Sequence, residues 1–345
     1  MALPTSYTAF RRTTGDLPRT IEQSSEPLPQ DLGPNEVLIK IRAVSLNYRD
    51  VGMLIGNYPV EVEERGISCS DCAAEVVSIG SAVKDFRIGD RVSPVFDVSN
   101  MTGAESEPMT ALGGDVPGVL REYAVFEDRL LVHLPQYLTW EEASTLACAG
   151  VTAWSAIDPS SGVSSALLQG TGGVSMFALL ICLAAGIKPI ITSSSDAKLE
   201  SIKKLGPEIH GINYKTTQGQ APEVLLATDG KGVDVVVNTT GVASLPDDLQ
   251  MLRTRGGTVS LVGFLEGFKA DWDPAAMMAI MGKAAKVKGI AVGSKVDYQH
   301  LNEFLEQKKI SLAPIIDRVF PFQESKAAFD YLLSGKHVGK VIIQV

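Results

Sequence analysis

The stretch SALLQGTGGVSMFALLICLAAG (165–186) decides the fold of this chain. Its apolar run Ala166–Leu168 predicts a buried strand, its glycines predict a tight turn, and the apolar residues from about Val174 predict a helix. A strand, a glycine turn and a helix in this order are what the dinucleotide-binding fingerprint requires. The third fingerprint position is Ser175 instead of Gly or Ala, and serine is still small enough for the helix to pack closely.

The glycines of this turn suit a bound phosphate. Gly170 permits the tight turn, and Gly172 lets the backbone approach a pyrophosphate. The N-terminus of the following helix adds free N–H groups and the positive end of its dipole. The turn therefore predicts an anion site, whose contacts we expect to be Gly170, Thr171, Gly172, Gly173 and Val174.

From about Thr139 the sequence alternates between apolar strands and helical segments. The predicted strands after the glycine turn are KPIITS (188–193), GINY (211–214), VDVVVNTTG (233–241) and GGTVSLVGF (256–264). Such alternation indicates βαβ units and a parallel sheet covered on both faces. The predicted class is therefore α/β, with a Rossmann doubly wound nucleotide-binding domain over 135–288.

The first 130 residues follow a different pattern. Short β-type runs such as EVLIKIRAVSLN (36–47) are separated by Gly, Pro and Asp turns, which predicts an antiparallel, barrel-like β domain. The polar, glycine-rich segment 97–118 shows neither the helical nor the strand periodicity of apolar residues, which predicts a long surface loop. After about Lys288 we expect a strand GIAVGS (289–294), two further helices and a closing strand KVIIQV (340–345). These can return the chain, so the second domain is predicted as 1–134 together with 289–345.

Composition excludes several classes of function. The 345 residues carry a net charge of -9, and no cluster of Lys and Arg supplies the electrostatic term of nucleic-acid binding. No segment reaches the roughly 20 apolar residues that span a bilayer, and no leader is recognisable, so we expect a cytoplasmic protein without a membrane partner. Cys69 and Cys72 have the spacing of half a zinc site, but no matching second pair follows, and we predict two buried thiols.

The end of the second predicted strand indicates which nucleotide binds. A cofactor with a free 2′-hydroxyl is usually held by an acidic residue about 20 residues after the glycines. Ser193, Ser194 and Ser195 stand there instead, with Lys198 one helical turn later, and these groups suit a 2′-phosphate. NADP(H) is therefore favoured over NAD(H). Asp196 is expected to cap the following helix, and Tyr214 either reaches the same phosphate and adenine or is a half-buried strand aromatic.

Six motifs spread along the chain carry a resemblance to a known family. They are AVSLNYRDV (43–51), SIGSAVKDFRIGDRV (78–92), LACAGVTAWSAI (146–157), GTGGVS (170–175), GGTVSLVGF (256–264) and KHVGKVII (336–343). In this order they resemble the zinc-free, quinone-oxidoreductase-like branch of the medium-chain dehydrogenase/reductase superfamily. The resemblance covers nearly the whole chain. It implies a GroES-like β-rich catalytic domain beside the Rossmann domain.

The resemblance also implies that metal ligands are missing. The zinc-dependent members of the superfamily use three protein ligands, and the corresponding positions here are Asn47, Ser70 and Cys148. A catalytic zinc needs three protein ligands, and a single thiolate is insufficient. The loop 97–118, where those relatives carry four structural cysteines, has none. We therefore expect no metal, and a rearranged site of Cys69, Cys72 and Cys148 is the alternative.

Without a Lewis acid, hydride addition to an activated alkene is the favoured chemistry. The resemblance places Asn47 and Asp50 beside the nicotinamide ribose and the substrate, and Thr152 near the nicotinamide. Tyr58 is the predicted proton donor or oxygen ligand, although a packing role in its loop is the alternative. Further cofactor contacts are expected from Thr240, Val262, Gly263, Phe264, Gly293, Ser294 and Lys340. For Lys340 the alternative is a solvated lysine at the end of a strand.

Three functions stay open at this point. The first is an NADPH-dependent reductase of a conjugated carbonyl, quinone or enoyl compound, in which secondary metabolism is one setting. The second is an alcohol or carbonyl dehydrogenase that works without zinc, and the third is a non-catalytic NADPH-binding protein. Related proteins pair through edge strands, so we expect a homodimer in which VKGIAVGS (287–294) and GGTVSLVGF (256–264) extend the sheet.

Overall fold

The computed structural model describes residues 3–345. The chain forms two compact units. Unit 1 contains the residues up to Val151 together with Gly293–Val345, and unit 2 is Thr152–Val292. The chain thus leaves unit 1, builds unit 2 and returns. Both junctions lie further along the chain than the predicted ones at 134/135 and 288/289.

Both units are built around β-strands. Those of unit 1 before the crossing are β1 (Ser6–Arg12), β2 (Ile21–Pro27), β3 (Glu36–Ser45), β4 (Asp71–Ile79), β5 (Arg91–Pro94), β6 (Tyr123–Glu127) and β7 (Leu131–His133). Unit 2 contains β8 (Ser165–Leu168), β9 (Lys188–Ser193), β10 (His210–Asn213), β11 (Val235–Asn238), β12 (Thr258–Leu261) and β13 (Lys286–Gly289). The returning segment adds β14 (Ile316–Pro321) and β15 (Lys340–Gln344) to unit 1.

Helices connect these strands. They are α1 (Tyr48–Leu54), α2 (Trp140–Ala143), α3 (Val151–Ile157), α4 (Gly173–Ala185), α5 (Asp196–Lys203), α6 (Gln220–Ala227), α7 (Leu245–Met251), α8 (Met278–Lys283), α9 (Lys295–Lys308) and α10 (Ser325–Leu333). A π-helical segment, Leu146–Gly150, leads into α3.

The sheet of unit 1 is mainly antiparallel. Its path is β14-β15-β3-β4-β5-β7, with β6 paired to β3, and β1 and β2 form a separate two-stranded sheet. Only the β14–β15 pair runs parallel along this path. The register between β3 and β4 shifts at two places, and such bulges increase the local twist of a sheet. The segment 97–118 contains no helix or named strand among the described residues, as the sequence predicts.

The sheet of unit 2 is parallel and has the order β10-β9-β8-β11-β12-β13. Counted within the unit this is 3-2-1-4-5-6, the doubly wound order, whose direction reverses between β8 and β11. The strands at this reversal are apolar and buried, with Leu167 and Val236 both at 0% exposure. The predicted α/β class is therefore confirmed, and the glycine turn after β8 lies where such sheets bind ligands.

Two predictions about strands are wrong. The strand near the end of unit 2 is β13, Lys286–Gly289, and no strand covers 290–294. The residues that follow β13 instead lead to the N-terminus of α9. In addition, β12 pairs with β11 on one side and β13 on the other. Because both edges of β12 are already bonded, GGTVSLVGF cannot extend the sheet, whereas β13 lies at its edge.

Candidate functional site

The glycine turn of unit 2 has the predicted backbone geometry. Gly170 has φ +75°, a left-handed conformation that favours glycine, and its N–H donates to Thr192 Oγ1 over 3.1 Å. Gly172 is the N-cap of α4. A Cβ added at Gly170 or Gly172 would meet no protein atom within 4 Å. Protein packing therefore does not require glycine at these two positions, and a close-lying phosphate fits the open turn.

The first turn of α4 contributes the rest of this anion site. Thr171 is buried, Gly173 and Val174 are half-buried, and α4 is 13 residues long. The Ser175 hydroxyl donates to the carbonyl of Gln169 over 2.6 Å, which fixes the helix against the end of β8. The serine in the third fingerprint position thus supports close packing, as the sequence predicts. The residues present fit a dinucleotide pyrophosphate at the helix N-terminus.

The three serines after β9 have different environments. Ser193 is buried, and its Oγ accepts from the backbone N–H of Ser195 over 3.2 Å. Ser195, and not Asp196, caps α5, because its Oγ accepts from the backbone N–H of Lys198. Asp196 is the first helical residue. Ser194 is exposed at the end of the strand and is the serine whose hydroxyl the structure leaves most accessible.

Lys198 and Tyr214 are the other two predicted contacts near this strand end. Lys198 lies in the first turn of α5 and is half-buried. Tyr214 follows β10 and is 45% exposed, so the alternative of a half-buried strand aromatic is wrong. Its backbone N–H donates to the Ser193 carbonyl over 3.1 Å, which holds the two strand ends together. A 2′-phosphate beside Ser194 would therefore find a hydroxyl, a lysine and an exposed aromatic ring nearby in the chain.

A buried polar network lies beneath the glycine turn, and the sequence analysis missed it. The Asp248 carboxylate on α7 accepts from Gln169 Nε2 over 2.7 Å and from Asn238 Nδ2 over 2.5 Å. The Gln169 Oε1 accepts in turn from the N–H of Thr240 over 3.3 Å. Burial raises the pKa of Asp248 to about 7. The unusual NTTG after β11 was the available signal, since an amide and two hydroxyls at a strand end need partners.

The backbone before Phe264 is partly engaged within the protein. The backbone N–H groups of Val262 and Gly263 both donate to the Asn238 carbonyl, over 2.8 and 3.2 Å. These two N–H groups are therefore engaged within the protein, so a bound carboxamide could meet only carbonyl oxygens of Val262 and Gly263. The Phe264 ring stacks on Phe268 with centroids 4.8 Å apart. Thr152, at the start of unit 2, is buried with 4% exposure.

Unit 1 contains a second polar cluster where β15 meets the start of α1. Lys340 has 2% exposure, and its ammonium donates to the Leu46 carbonyl over 2.6 Å and to Asn47 Oδ1 over 2.5 Å. The alternative of a solvated strand-end lysine is therefore wrong. Because an ammonium only donates, this contact fixes which end of the Asn47 amide is oxygen. The Nδ2 atom of Asn47 is buried and has no hydrogen-bond partner in the protein.

Asp50 lies one helical turn after Asn47. Its Oδ2 accepts from the Asn47 N–H over 2.7 Å, and its Oδ1 is buried and has no protein partner. Burial raises the pKa of Asp50 to about 6, although the positive charges of Arg49 and Lys340 act in the opposite direction. Near pH 6 the neutral and charged forms of the Asp50 carboxyl therefore coexist.

Arg49 and Tyr58 lie on the other side of this cluster. The Arg49 guanidinium is buried, donates to the Leu112 carbonyl over 2.7 Å and stands 4.8 Å from the centre of the Phe96 ring. Tyr58 is half-buried with its ring 5.9 Å from the same guanidinium. Burial raises the pKa of the Tyr58 phenol, so this group is protonated at neutral pH.

The residues at the positions that correspond to zinc ligands form hydrogen bonds within the protein. Ser70 is fully buried, and its hydroxyl donates to Asp71 Oδ1 over 2.6 Å, while Asp71 Oδ2 accepts from the backbone N–H of Cys148 over 3.1 Å. Burial raises the pKa of the Cys148 thiol to about 12, although the positive charges of Lys340 and Arg49 act in the opposite direction. Among residues 3–345, no three His, Cys, Asp or Glu side chains come together as a metal ion would require.

The cysteines outside that position are structural. Cys69 and Cys72 are buried free thiols, which confirms their interpretation from the sequence. Cys69 has φ +71°, an uncommon conformation for a residue with a side chain. Its backbone lies so close to Gly113 and Gly118 that a Cβ on either glycine would collide with it. The long loop 97–118 is therefore anchored on Cys69.

Gly293 and Ser294 belong to the returning segment of unit 1. The Ser294 hydroxyl caps α9, since it accepts from the Asp297 N–H and donates to the Asp297 carboxylate over 2.7 Å. Its side chain is thus committed to the helix, and only backbone atoms of this pair are available to a ligand. In the part of the chain that the structure describes, no helix is long and apolar enough to cross a membrane.

Comparisons with known proteins agree with this organisation. Residues 33–136 match the model of the alcohol dehydrogenase GroES-like domain, and residues 173–307 match that of the zinc-binding dehydrogenases. A zinc-type alcohol dehydrogenase-like protein of Schizosaccharomyces pombe is 38% identical over 329 residues, which are 92% of this chain and 93% of that protein.

Solved structures give the same result. The crystal structure of a Sinorhizobium meliloti 1021 protein assigned as an alcohol dehydrogenase superposes over 100% of both chains with a TM-score of 0.89 and 31% identity. A 2-octenoyl-CoA carboxylase reductase, solved with NADP and 2-octenoyl-CoA, covers 99% of this chain and 88% of its own with a TM-score of 0.81. At 22% identity, that likeness shows the fold alone.

A GroES-like unit followed by a doubly wound dinucleotide-binding unit defines a class of nicotinamide-dependent oxidoreductases. This chain belongs to the medium-chain dehydrogenase/reductase superfamily, as its motifs predict.

Proposed function

We propose that this protein is a metal-independent, NADPH-dependent reductase that transfers hydride to the activated C=C bond of an α,β-unsaturated carbonyl, quinone or enoyl substrate. The observation that carries the proposal is the ammonium of Lys340 on Asn47 Oδ1. A protein cation bonded at a position that corresponds to a zinc ligand repels a divalent ion, and Arg49 adds a second positive charge to the same cluster. Hydrogen-bond donors then replace the Lewis acid.

The donor set of unit 1 suits conjugate reduction. When bound, reduced nicotinamide supplies the hydride, and addition at the β-carbon leaves negative charge on the substrate carbonyl oxygen. Asn47 Nδ2 is a buried donor without a protein partner, and the protonated Tyr58 phenol is a second donor. Donors held in place before the reaction stabilise such an oxyanion without reorganising. Tyr58 or water then provides the final proton, and the Asp50 carboxyl accepts a hydrogen bond from the Asn47 N–H in the same cluster.

The cofactor is proposed as NADP(H), bound by the glycine turn of unit 2. Ser194 and Lys198 are its 2′-phosphate contacts, with Tyr214 beside them and Ser193 supporting the strand end. Thr152, Thr240, Phe264 and Gly293 remain proposed contacts of the nicotinamide end, made by backbone or apolar atoms. The structure of the 2-octenoyl-CoA carboxylase reductase contains NADP and 2-octenoyl-CoA, which supports the view that this fold accommodates NADP together with an enoyl substrate.

A second function is supported by the names of the relatives. The Schizosaccharomyces pombe and Sinorhizobium meliloti proteins are described as alcohol dehydrogenases or as like them, which favours reduction of a C=O bond. The two activities reduce different bonds of the same conjugated carbonyl. Product identity therefore separates them, whereas cofactor consumption alone does not.

The test uses chelator-treated protein with NADPH and a panel of enones, quinones, enoyl thioesters and simple ketones. We expect NADPH to be consumed with the alkenes and quinones. NMR should show a saturated C–C bond with the carbonyl retained in the products of the enones and enoyl thioesters, and hydroquinones from the quinones. Asn47→Ala should lower this turnover, and Asn57→Ala, at an exposed position nearby in the chain, serves as its control. An allylic alcohol product would establish the dehydrogenase, and binding without turnover would establish a non-catalytic protein.

The assembly is proposed as a homodimer formed through β13. This strand is bonded only to β12, and Lys286, Lys288 and Gly289 on it are exposed. Open backbone groups on an edge strand can pair with a second copy. Light scattering coupled to gel filtration measures the mass directly, and a monomer at micromolar concentration would refute the dimer.

A further inference from the structure

We propose that Asp248 is a positioning residue for the cofactor: it fixes the side chain of Gln169 and, through Gln169, the shape of the glycine turn. This inference rests on the cofactor part of the proposed function and makes no statement about the substrate. Asp248 lies on α7, is 0% exposed and touches neither the turn nor α4 by a hydrogen bond of its own.

The carboxylate decides which way the Gln169 amide faces. Three donors converge on Asp248: Gln169 Nε2 at 2.7 Å, Asn238 Nδ2 at 2.5 Å and Ser244 Oγ at 3.1 Å. An ionised carboxylate only accepts hydrogen bonds, so Gln169 must present its NH2 group. Its Oε1 is then directed at the backbone N–H of Thr240. The ends of β8 and β11 are thereby tied together by one amide.

Gln169 immediately precedes Gly170, and its main chain is also fixed. Its carbonyl accepts from Ser175 Oγ over 2.6 Å and from Thr239 Oγ1 over 2.9 Å, and its N–H donates to the Val237 carbonyl over 3.3 Å. Ser175 belongs to α4, so the residues before and after the glycines are joined through this carbonyl. If the Gln169 side chain loses its partner, the turn is held on this side by main-chain hydrogen bonds alone.

The arrangement requires a charged carboxyl in a buried place. Burial raises the pKa of Asp248 to about 7, while its hydrogen bonds to Asn238 and Ser244 act in the opposite direction. Protonation would turn an accepting oxygen into an O–H group. The Gln169 and Asn238 NH2 groups cannot accept from it, and Ser244 could do so only by giving up its own bond to the carboxylate and donating to the Gly241 carbonyl. The network is therefore complete above neutral pH, and the fraction of molecules that hold it falls as the pH decreases through about 7.

The charged groups around α7 do not reverse the upward shift of the Asp248 pKa. Asp247, on the same helix, raises the pKa further. On α8, the Lys283 ammonium bonds to the carbonyls of Gln250 and Leu252, and on α6 the Glu223 carboxylate acts on His210. The partners from β8 and β11 are neutral amides.

The test compares Asp248→Asn with Asp247→Asn, which changes the same residue type at the neighbouring position. In Asp248→Asn an NH2 group replaces one acceptor oxygen and faces a donor, so we expect NADPH and NADH to bind about tenfold more weakly, measured by quenching of protein fluorescence. At about pH 8, above the pKa of Asp248, Asp247→Asn should bind as the wild type does. The double variant Asn238→Asp with Asp248→Asn restores a donor–acceptor pair and should recover most of the affinity.

The pH dependence separates positioning from a merely structural role. Wild-type affinity for NADH, which has no 2′-phosphate to titrate, should fall as the pH is lowered from about 8 to about 6, and the Asp248→Asn variant should show a flat profile. Equal pH profiles, or a loss of thermal stability with unchanged dissociation constants, would refute the proposal.

A readout without cofactor keeps the test independent of the proposed function. Hydrogen exchange of the amides in 170–176 should accelerate in Asp248→Asn and not in Asp247→Asn. Unchanged exchange in both variants would overturn the inference even if NADPH binds. A wild-type protein that binds neither nucleotide would instead refute the cofactor assignment, while faster exchange would still support the role of Asp248.

Discussion

Lys340 and Asn47 are 293 positions apart in the chain, and the ammonium of the first donates a hydrogen bond to Oδ1 of the second. The bond connects the last strand of unit 1 with the start of its first helix. It also places a positive charge and an oriented amide in one buried cluster. The contact thus gives Lys340 a role within the protein, in addition to the cofactor contact that the resemblance implies.

Lys340→Met should remove the hydrogen bond and free the Asn47 amide to rotate. We expect kcat to fall about tenfold, because the donor is no longer held in place, while the dissociation constant of NADPH changes little. Lys336→Met, at an exposed lysine of the same segment, is the control. A weaker NADPH complex with unchanged kcat would show that Lys340 acts on the cofactor instead.

Gly172→Ala tests the anion site without disturbing the fold. Its Cβ would meet no protein atom within 4 Å, and Gly172 has φ -78°, which alanine adopts readily. Thermal stability should therefore be unchanged, whereas the methyl group should weaken NADPH binding about tenfold or more by blocking the pyrophosphate. Gly282→Ala, another glycine with open space around its Cβ, should change neither quantity. Unaltered NADPH affinity in Gly172→Ala would contradict the site.

Lys198→Ala and Ser194→Asp test the choice of nucleotide. Each removes or repels a contact to the 2′-phosphate, so the ratio of kcat/KM for NADPH to that for NADH should fall about tenfold, mainly through the KM of NADPH. Lys203→Ala on the same helix, whose ammonium pairs with Glu200, is the control. If both variants lose activity with NADPH and NADH equally, the phosphate lies elsewhere.

Asp50 should make stability depend on pH. Its pKa is raised from 3.8 to about 6 in the folded protein, so its neutral form favours folding. That contribution is present below the unfolded pKa and is lost as the pH rises through about 6. A shift of about two pKa units corresponds to roughly 3 kcal/mol. Denaturant unfolding of the wild type and of Asp50→Asn at several pH values should show the difference between them growing over this range, and a constant difference would disprove the assignment.

Chelation should leave the reaction intact. Prolonged dialysis against a strong chelator is expected to change neither kcat nor thermal stability, and elemental analysis should find far less than one zinc per chain. The reason is that Asn47 and Ser70 replace two ligands, and a structural zinc also needs four. Loss of activity that added zinc restores would overturn metal independence.

The fold could be predicted because its signals are local. The periodicity of apolar residues predicts the strand and helix around Gly170 and the alternation of β9 to β12 with helices. The bounds of β9, Lys188–Ser193, are the predicted ones. The strand β13 was misplaced because KVKG is short and polar, whereas the apolar GIAV that follows is a better β former. Its place in the sheet depends on pairing with β12, which a single segment does not encode.

The sites could be predicted only in part. The glycine turn is a contiguous motif, and so its geometry follows from sequence. The networks around Asp248 and Lys340 join residues far apart in the chain, such as Gln169 with Asp248, and only the folded structure brings them together. The capping role of Ser195 was assigned to Asp196 because both residue types cap helices equally well.

The four cysteines have a consequence for an enzyme that handles electrophiles. A conjugated carbonyl that accepts hydride at its β-carbon can also react there with a cysteine thiolate. Such a substrate can therefore alkylate and inactivate the protein that reduces it. Burial raises the pKa of all four thiols, that of Cys148 and of Cys182 to about 12. At neutral pH they are held as unreactive thiols. If the proposed substrate class is correct, the raised pKa values would protect the protein from alkylation by the compounds that it reduces.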